Sequence, residues 1–441
     1  MITQVSYWDL ILSPIYILFF YFIAAVISKK YYGNDKYLRK KLMQGFWIKI
    51  LFAILYVLFI QFYYGGGDSF MYYEFGQSIH NAINDNFSNL KFLYGGYEPF
   101  YEYCTNNSFD YVHSAPGYMF GLTNQIVSRF SCIFGYFSFQ NYTVTSLFFS
   151  VLSYIGIWKM LLVFYKIFPQ FKRQISFSFL FLPSFLFWGS GILKESLCLF
   201  SLGLIVSGLY NIFYFKKSSF LEIVSLIIGC LLLITTKNYI FYSFILAFIL
   251  LMYRRYTSNK GFFVKILIYV VAILVITTAL QNVMGDLEND PTNLANVDNL
   301  IEQTKDFKES YEDLGGAFVD IGDFDPTLSG IAKKIPTAIM NVFFRPFPWE
   351  ARSVVLFTGM LESLFFLILL LRGLYINKIF KFFGQIAKNP VLFSCLLFSL
   401  VLGIIVGLTT FNFGSIVRYK IPSMPFFSMV ILILNSKTKL T

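Results

Sequence analysis

Charge is scarce in this chain. Only 13% of its 441 residues are Asp, Glu, Lys or Arg, while 57% are hydrophobic. A soluble globular chain carries roughly 25% charged residues. A soluble domain of this length could not hide so much apolar surface, so lipid must be the solvent for much of it. Histidine is scarcer still, with two residues, and the five cysteines show no metal-ligand spacing. No HExxH, CxxC, GxxxxGK[ST] or GxSxG occurs, which argues against a zincin protease, a P-loop ATPase and a hydrolase with a nucleophile elbow. A basic n-region is also missing before the first apolar run. Basic residues follow that run instead, so it reads as a retained helix rather than a cleaved signal peptide.

What the chain has is long apolar runs. A spanning helix needs about 20 such residues. Candidate spans are 8–28, 45–64, 143–165, 174–190, 195–215, 219–236, 239–253, 262–282, 353–371, 391–409 and 421–435. The expected fold is an all-α polytopic membrane protein, one integral membrane domain over 1–441, with about 11 transmembrane helices and outer interfacial helices. Aromatics reach 21%, which reads first as composition bias and second as interfacial belts.

The net charge of +11 comes from basic residues in short clusters between apolar runs. These are topology signals rather than a nucleic-acid surface. They gather at 29–41, 166–173, 216–217, 254–265, 372–388 and 437–439, in alternate connections. The positive-inside rule then puts the N-terminus outside and the C-terminus in the cytoplasm. Two long segments, 65–142 and 283–352, fall on the outer side. The second is acidic from 283 to 330 and reads as a solvated lobe or loop. Residues 331–344 read as an interfacial helix, and so do 116–137. Cys104 and Cys132 share the first outer segment, where a pairing is left open. Cys198, Cys230 and Cys395 read as core.

Charged groups at membrane depth cost on the order of 2.5–3.5 kcal/mol, so each needs a partner or a task. Four outer clusters stand out. In Gly65-Gly66-Gly67-Asp68-Ser69, followed by Tyr72 and Glu74, three glycines allow a sharp turn and close approach to a ligand. Asp68 fits a general base or metal ligand, or equally the N-cap of the helix that follows. In Pro183 to Ser196, Glu195 at a helix start is explained by the dipole alone, whereas Lys194 opposes it and would be relieved by an anion. Arg345, in Phe344-Arg345-Pro346-Phe347-Pro348-Trp349-Glu350, fits either snorkelling or bidentate phosphate binding. Arg418 and Lys420 run against the positive-inside trend, which favours phosphate binding over snorkelling. His113 lies in the first outer segment, where a lone histidine is more often structural. His80 carries no functional reading.

These residues resemble the GT-C superfamily of membrane glycosyltransferases. The likeness lies in GGGDSFMYYEFG after an apolar span, then Val112-His113-Ser114-Ala115-Pro116-Gly117-Tyr118, then Phe134-Gly135. The run Pro183 to Glu195 and the late Arg418, Tyr419 and Pro422 complete the set. It covers about 65–215 well and the C-terminal span loosely. The resemblance implies a polyprenyl-phosphate-linked sugar donor and a glycan, lipid or protein acceptor, in cell-surface polysaccharide synthesis. It implies Asp68 as the catalytic acid/base, with Glu74 in the same motif, and Glu195 at the second outer acidic position. Arg418 would contact the lipid phosphate, beside Lys194, Arg345, Lys420, Tyr72 and His113 as substrate-binding candidates. No cofactor is specified, although a divalent cation fits the acidic loop. Three features depart from the family pattern. A helix at 8–28 precedes the usual first span, Ala-Pro replaces Pro-Pro, and one acid precedes Ser69 where two are common.

Other functions remain open. A Wzy-like polysaccharide polymerase or O-antigen ligase has a similar number of spans and outer arginines, but the early Gly-Gly-Asp loop favours GT-C. A transporter or flippase usually shows internal repeats and mid-span charges. No repeat is evident, and mid-span charges are few: Lys49, Lys159 and Glu362. A non-enzymatic envelope component is the last alternative.

Overall fold

A computed structural model describes residues 4–106, 121–256, 319, 328–410 and 412–438. Among these, the chain is helical and forms no strand. The fold is therefore that of an all-α polytopic membrane protein. Helices α1 (Tyr7–Tyr32), α2 (Lys36–Phe59), α3 (Asp68–Asp85), α4 (Tyr97–Asn106), α5 (Leu122–Ser138) and α6 (Tyr142–Ile167) come first. Two short helices follow, α7 (Lys172–Leu180) and α8 (Pro183–Trp188), then α9 (Lys194–Leu209) and α10 (Phe220–Tyr256). The last six are α11 (Leu328–Phe343), α12 (Val354–Asn377), α13 (Ile379–Lys388), α14 (Pro390–Thr409), α15 (Phe413–Tyr419) and α16 (Met424–Leu434).

Seven helices among the described residues are long and apolar enough to span a bilayer, or eight if α15 and α16, bent by 75°, count as one broken span. Eleven segments are expected from the sequence, and three places account for the rest of the difference. Segment 174–190 is not one span, because Phe181 and Leu182 separate α7 from α8 and Pro183 opens a new helix. Segment 262–282 lies outside the described residues, as does the acidic stretch apart from Val319 and residues 328–330. Segments 219–236 and 239–253 merge into α10, in which Lys237 has non-helical backbone angles. The Tyr256 hydroxyl donates to the Phe213 carbonyl at 2.7 Å. A straight helix of this length would carry its end roughly 55 Å away, so the run is not one straight helix, and it breaks at Lys237.

The chain forms two compact units. The first comprises Met1–Val163, Leu186–Tyr210 and Ser218–Lys237; the second holds Phe164–Phe185, Asn211–Lys217 and Asn238–Thr441. In the first unit, glycines bring helices close. A Cβ on Gly156 of α6 or Gly203 of α9 would strike the other helix's backbone, and one on Gly229 would meet Ser201 and Leu204. Lipid tails are as apolar as leucine, so close backbone packing through small residues replaces the hydrophobic drive. Helix α3 packs along α5, with Gly76 lying against Ser131 and Cys132. Cys132 is a buried free thiol, and the side chain of Cys104 lies outside the described residues.

In the second unit, α11 runs antiparallel along α14. Gly403 receives the Phe343 ring and Gly407 receives Ala338. Residues 331–344 therefore follow a span along its length.

Candidate functional site

In the first unit, α2 ends in a π-helical turn, and Gly65 and Gly67 take φ of 67° and 95°. Positive φ is nearly cost-free only for glycine. The turn leaves Asp68 as the first residue of α3, partly exposed, with Gly67 at the N-cap. Asp68 is thus not the cap itself. Its carboxylate sits in the first turn, where the helix dipole favours a negative charge. Tyr72, one turn on, is buried and donates to Asn124 Oδ1 at 3.0 Å. Glu74 accepts from Gln4. Burial raises the Glu74 carboxyl above its ordinary value, and the Gln4 bond opposes this.

Lys194 opens α9, and its Nζ donates to Thr123 Oγ1 at 2.9 Å. Thr123 and Asn124 stand in the first turn of α5. The second turn of α3 and the opening turns of α5 and α9 are therefore linked by two side-chain hydrogen bonds. Glu195, 1% exposed, accepts from Lys237 Nζ at 2.8 Å. Lys237 is the residue at which α10 breaks, so the ion pair ties that break to the start of α9.

The turn before α9 is held from α2. Lys49 Nζ and Ser153 Oγ both donate to the Gly189 carbonyl at 2.6 Å. Gly191 lies against the Tyr56 ring, and no side chain would fit there. Ser196 Oγ then bonds the Gly191 carbonyl at 2.7 Å.

The second unit holds the other candidates. Arg345 forms an ion pair with Glu350, with Nε at 3.0 and 3.1 Å from its two oxygens, and donates to Asn341 at 2.8 Å. The Phe413 ring lies 4.9 Å away. The guanidinium fork thus faces a carboxylate of its own chain. Burial would raise the Glu350 carboxyl, but hydrogen bonds from Arg345 and the Phe347 amide outweigh it and hold it below its ordinary value. Arg418 lies in the last turn of α15, partly exposed.

Lys420 is buried, with Nζ 2.8 Å from the Val342 carbonyl and 3.5 Å from Ser363 Oγ. Ser363 Oγ also donates to the Arg345 carbonyl at 2.9 Å. Val342 belongs to the last turn of α11, whose carbonyls lack helical partners, so a cation there completes that end. Glu362 accepts from Ser184 N and Oγ at 3.1 and 2.7 Å, and so caps the start of α8. His113 lies outside the described residues.

No known protein family, curated protein or solved structure matches this chain. Among the described residues, no group of three or more His, Cys, Asp and Glu stands together to hold a metal. The linked turns of α3, α5 and α9 bring an aspartate, a lysine, a tyrosine hydroxyl and two small polar side chains to one end of the first unit. That set can bind an anion through Lys194 and accept a proton at Asp68.

Sequence reasoning gave no role to Thr123 and Asn124, which had no signal of their own in a polar-apolar run. Asp9 was also overlooked. It is buried and accepts Ser6 N, Ser6 Oγ and Thr143 N at 2.7, 2.8 and 3.0 Å. The Ser6-x-x-Asp9 spacing of a capping box marks the first part of this network. Nothing in sequence marks the bond to Thr143.

Proposed function

We propose that this chain is a membrane glycosyltransferase. It moves a sugar from a polyprenyl-phosphate donor to an acceptor at the outer face of the bacterial cytoplasmic membrane, in cell-surface glycan synthesis. The observation that carries the reading is the linkage of Lys194 to Thr123 and of Tyr72 to Asn124. It gathers an ammonium and the opening turns of α5 and α9 beside Asp68's helix. Helix N-termini and a cation together favour a phosphate.

In the reaction, the acceptor hydroxyl loses its proton to the Asp68 carboxylate and its oxygen bonds the anomeric carbon. The bond from that carbon to the phosphate oxygen breaks, and polyprenyl phosphate leaves with the electron pair. Lys194 stabilises the charge that develops on the leaving phosphate. Glu195 positions the start of α9 through Lys237. In the second unit, Arg418 is a further candidate for lipid-phosphate contact, while Arg345 and Lys420 support structure through Glu350 and Val342.

The same reading puts the N-terminus outside and the C-terminus in the cytoplasm. It is supported by two basic connections lying side by side: Arg255 stacks 3.6 Å over the Tyr214 ring, and Lys216 lies 5.9 Å from the Tyr256 ring. Labelling of a cysteine at 418 only from the cytoplasm would overturn that orientation.

The test of function is glycan profiling of the native host carrying Asp68→Asn or Lys194→Met. Loss or truncation of a surface glycan is expected. Unchanged glycans, with the variants inserted at wild-type level, would remove the basis of the proposal.

A further inference from the structure

The end of the second unit that carries α13 collects cations from segments far apart in sequence. Arg254 bonds the Ala387 carbonyl and lies 4.7 Å from the Phe393 ring. Tyr256 reaches Phe213, which brings Lys216 and Lys217 beside Arg254 and Arg255. Lys378, Lys381 and Lys388 stand on or next to α13 and are exposed. The segments 211–217, 253–256 and 372–390 contain no Asp or Glu.

Helix α13 connects α12 to α14, both long enough to span. Its apolar side is only half used by the protein. Phe382 and Ile386 are buried, with Phe382 against Gly373. Ile379, Phe380 and Phe383 are 59%, 94% and 52% exposed. At about 100° per residue, Lys381 and Lys388 share the opposite side, two turns apart. An aromatic strip beside a lysine row, at the end of two spans, matches a helix lying in the membrane interface. A row of cations with no acid is complementary to anionic headgroups and is expected to attract them.

We propose that this end of the second unit is a binding surface for anionic phospholipid headgroups, with α13 lying in the interface and Phe380 and Phe383 inserted among the acyl chains. The lysines flank the headgroup phosphates, and Arg254 anchors the carboxyl end of α13. The proposal stands apart from sugar transfer.

The full chain is reconstituted into vesicles of phosphatidylcholine alone and of phosphatidylcholine mixed with phosphatidylglycerol, and its thermal unfolding is followed. A higher Tm is expected in the mixed vesicles, and the difference should shrink in high salt. The triple variant Lys378→Gln/Lys381→Gln/Lys388→Gln should lose at least half of the difference, while Lys333→Gln/Lys334→Gln keeps it. Phe380→Ser changes an exposed side chain and keeps the fold, and it should also reduce the difference. Glycerol phosphate added to phosphatidylcholine vesicles should not reproduce the effect; if it did, the ligand would be a free phosphate. Equal Tm in both vesicle types, or a full difference in the triple variant, would overturn the proposal.

Discussion

Lys49, in the apolar body of α2, donates to the carbonyl of Gly189, 140 positions later, at 2.6 Å. Ser153 donates to the same oxygen. A lysine at that depth is costly to insert, so the contact that retains it matters. The contact holds the turn that leads to Lys194 and Glu195.

Lys49→Met keeps the side chain's bulk, and Ser153 still satisfies Gly189. The single change is expected to cost less than about 1.5 kcal/mol. The double variant Lys49→Met/Ser153→Ala leaves the carbonyl without either donor and should cost about 1–3 kcal/mol more than the two singles combined. Unfolding in detergent, read as a double-mutant cycle, checks this. Additive singles would show that the two donors do not share one acceptor's satisfaction.

Glu195 and Lys237 form a buried pair. Glu195→Gln or Lys237→Met alone strands a charge and should destabilise by about 3–5 kcal/mol. The double variant removes both charges and should recover most of that loss. If the double is as unstable as the worse single, the pair is not the source of the cost.

The glycines divide by geometry. Gly203→Leu drives a side chain into the backbone of α6 and should abolish stable insertion. Gly66→Ala meets open space at ordinary φ and should be silent. Gly67→Ala has the same space but φ of 95°, and should cost about 1 kcal/mol or more. Yields of folded protein from membranes rank the three, and equal yields would refute the ranking.

Glu350 and Glu74 should respond to pH in opposite directions. The folded Glu350 carboxyl is held below its ordinary value. Its stabilisation is present above the unfolded pKa and is lost as pH falls through the folded one. The stability gap between wild type and Glu350→Gln should therefore close in acid. Glu74 is raised by burial, so its contribution is present below the unfolded pKa and is lost as pH rises through the folded one. Glu74→Gln should gain stability relative to wild type toward neutral pH. Unfolding midpoints across acid to neutral pH check both signs.

Much of the architecture was legible in the apolar runs. The segments 8–28, 45–64, 143–165 and 391–409 each fall within one long helix, and 195–215 and 353–371 do so but for one end residue each. A hydropathy reading also separated 219–236 from 239–253, and the break at Lys237 falls between them. It failed at 174–190, where the composition is apolar but the backbone breaks before Pro183. Of the site, Asp68, Tyr72, Lys194 and Glu195 were visible because polar residues beside apolar runs need a reason. Their partners Thr123, Asn124 and Lys237 were not assigned to them, because hydrogen bonding between distant helices leaves no local pattern.

The sequence by itself determined that this chain lives in a membrane, since 13% charge with long apolar runs admits no other solvent. Tertiary structure alone decided which charges are engaged. Arg345 and Lys420 look alike in a linear reading, as cations at span ends. Folding commits one to Glu350 and the other to the Val342 carbonyl. That choice depends on which carboxylates and helix ends arrive within hydrogen-bonding distance, and only packing sets those distances.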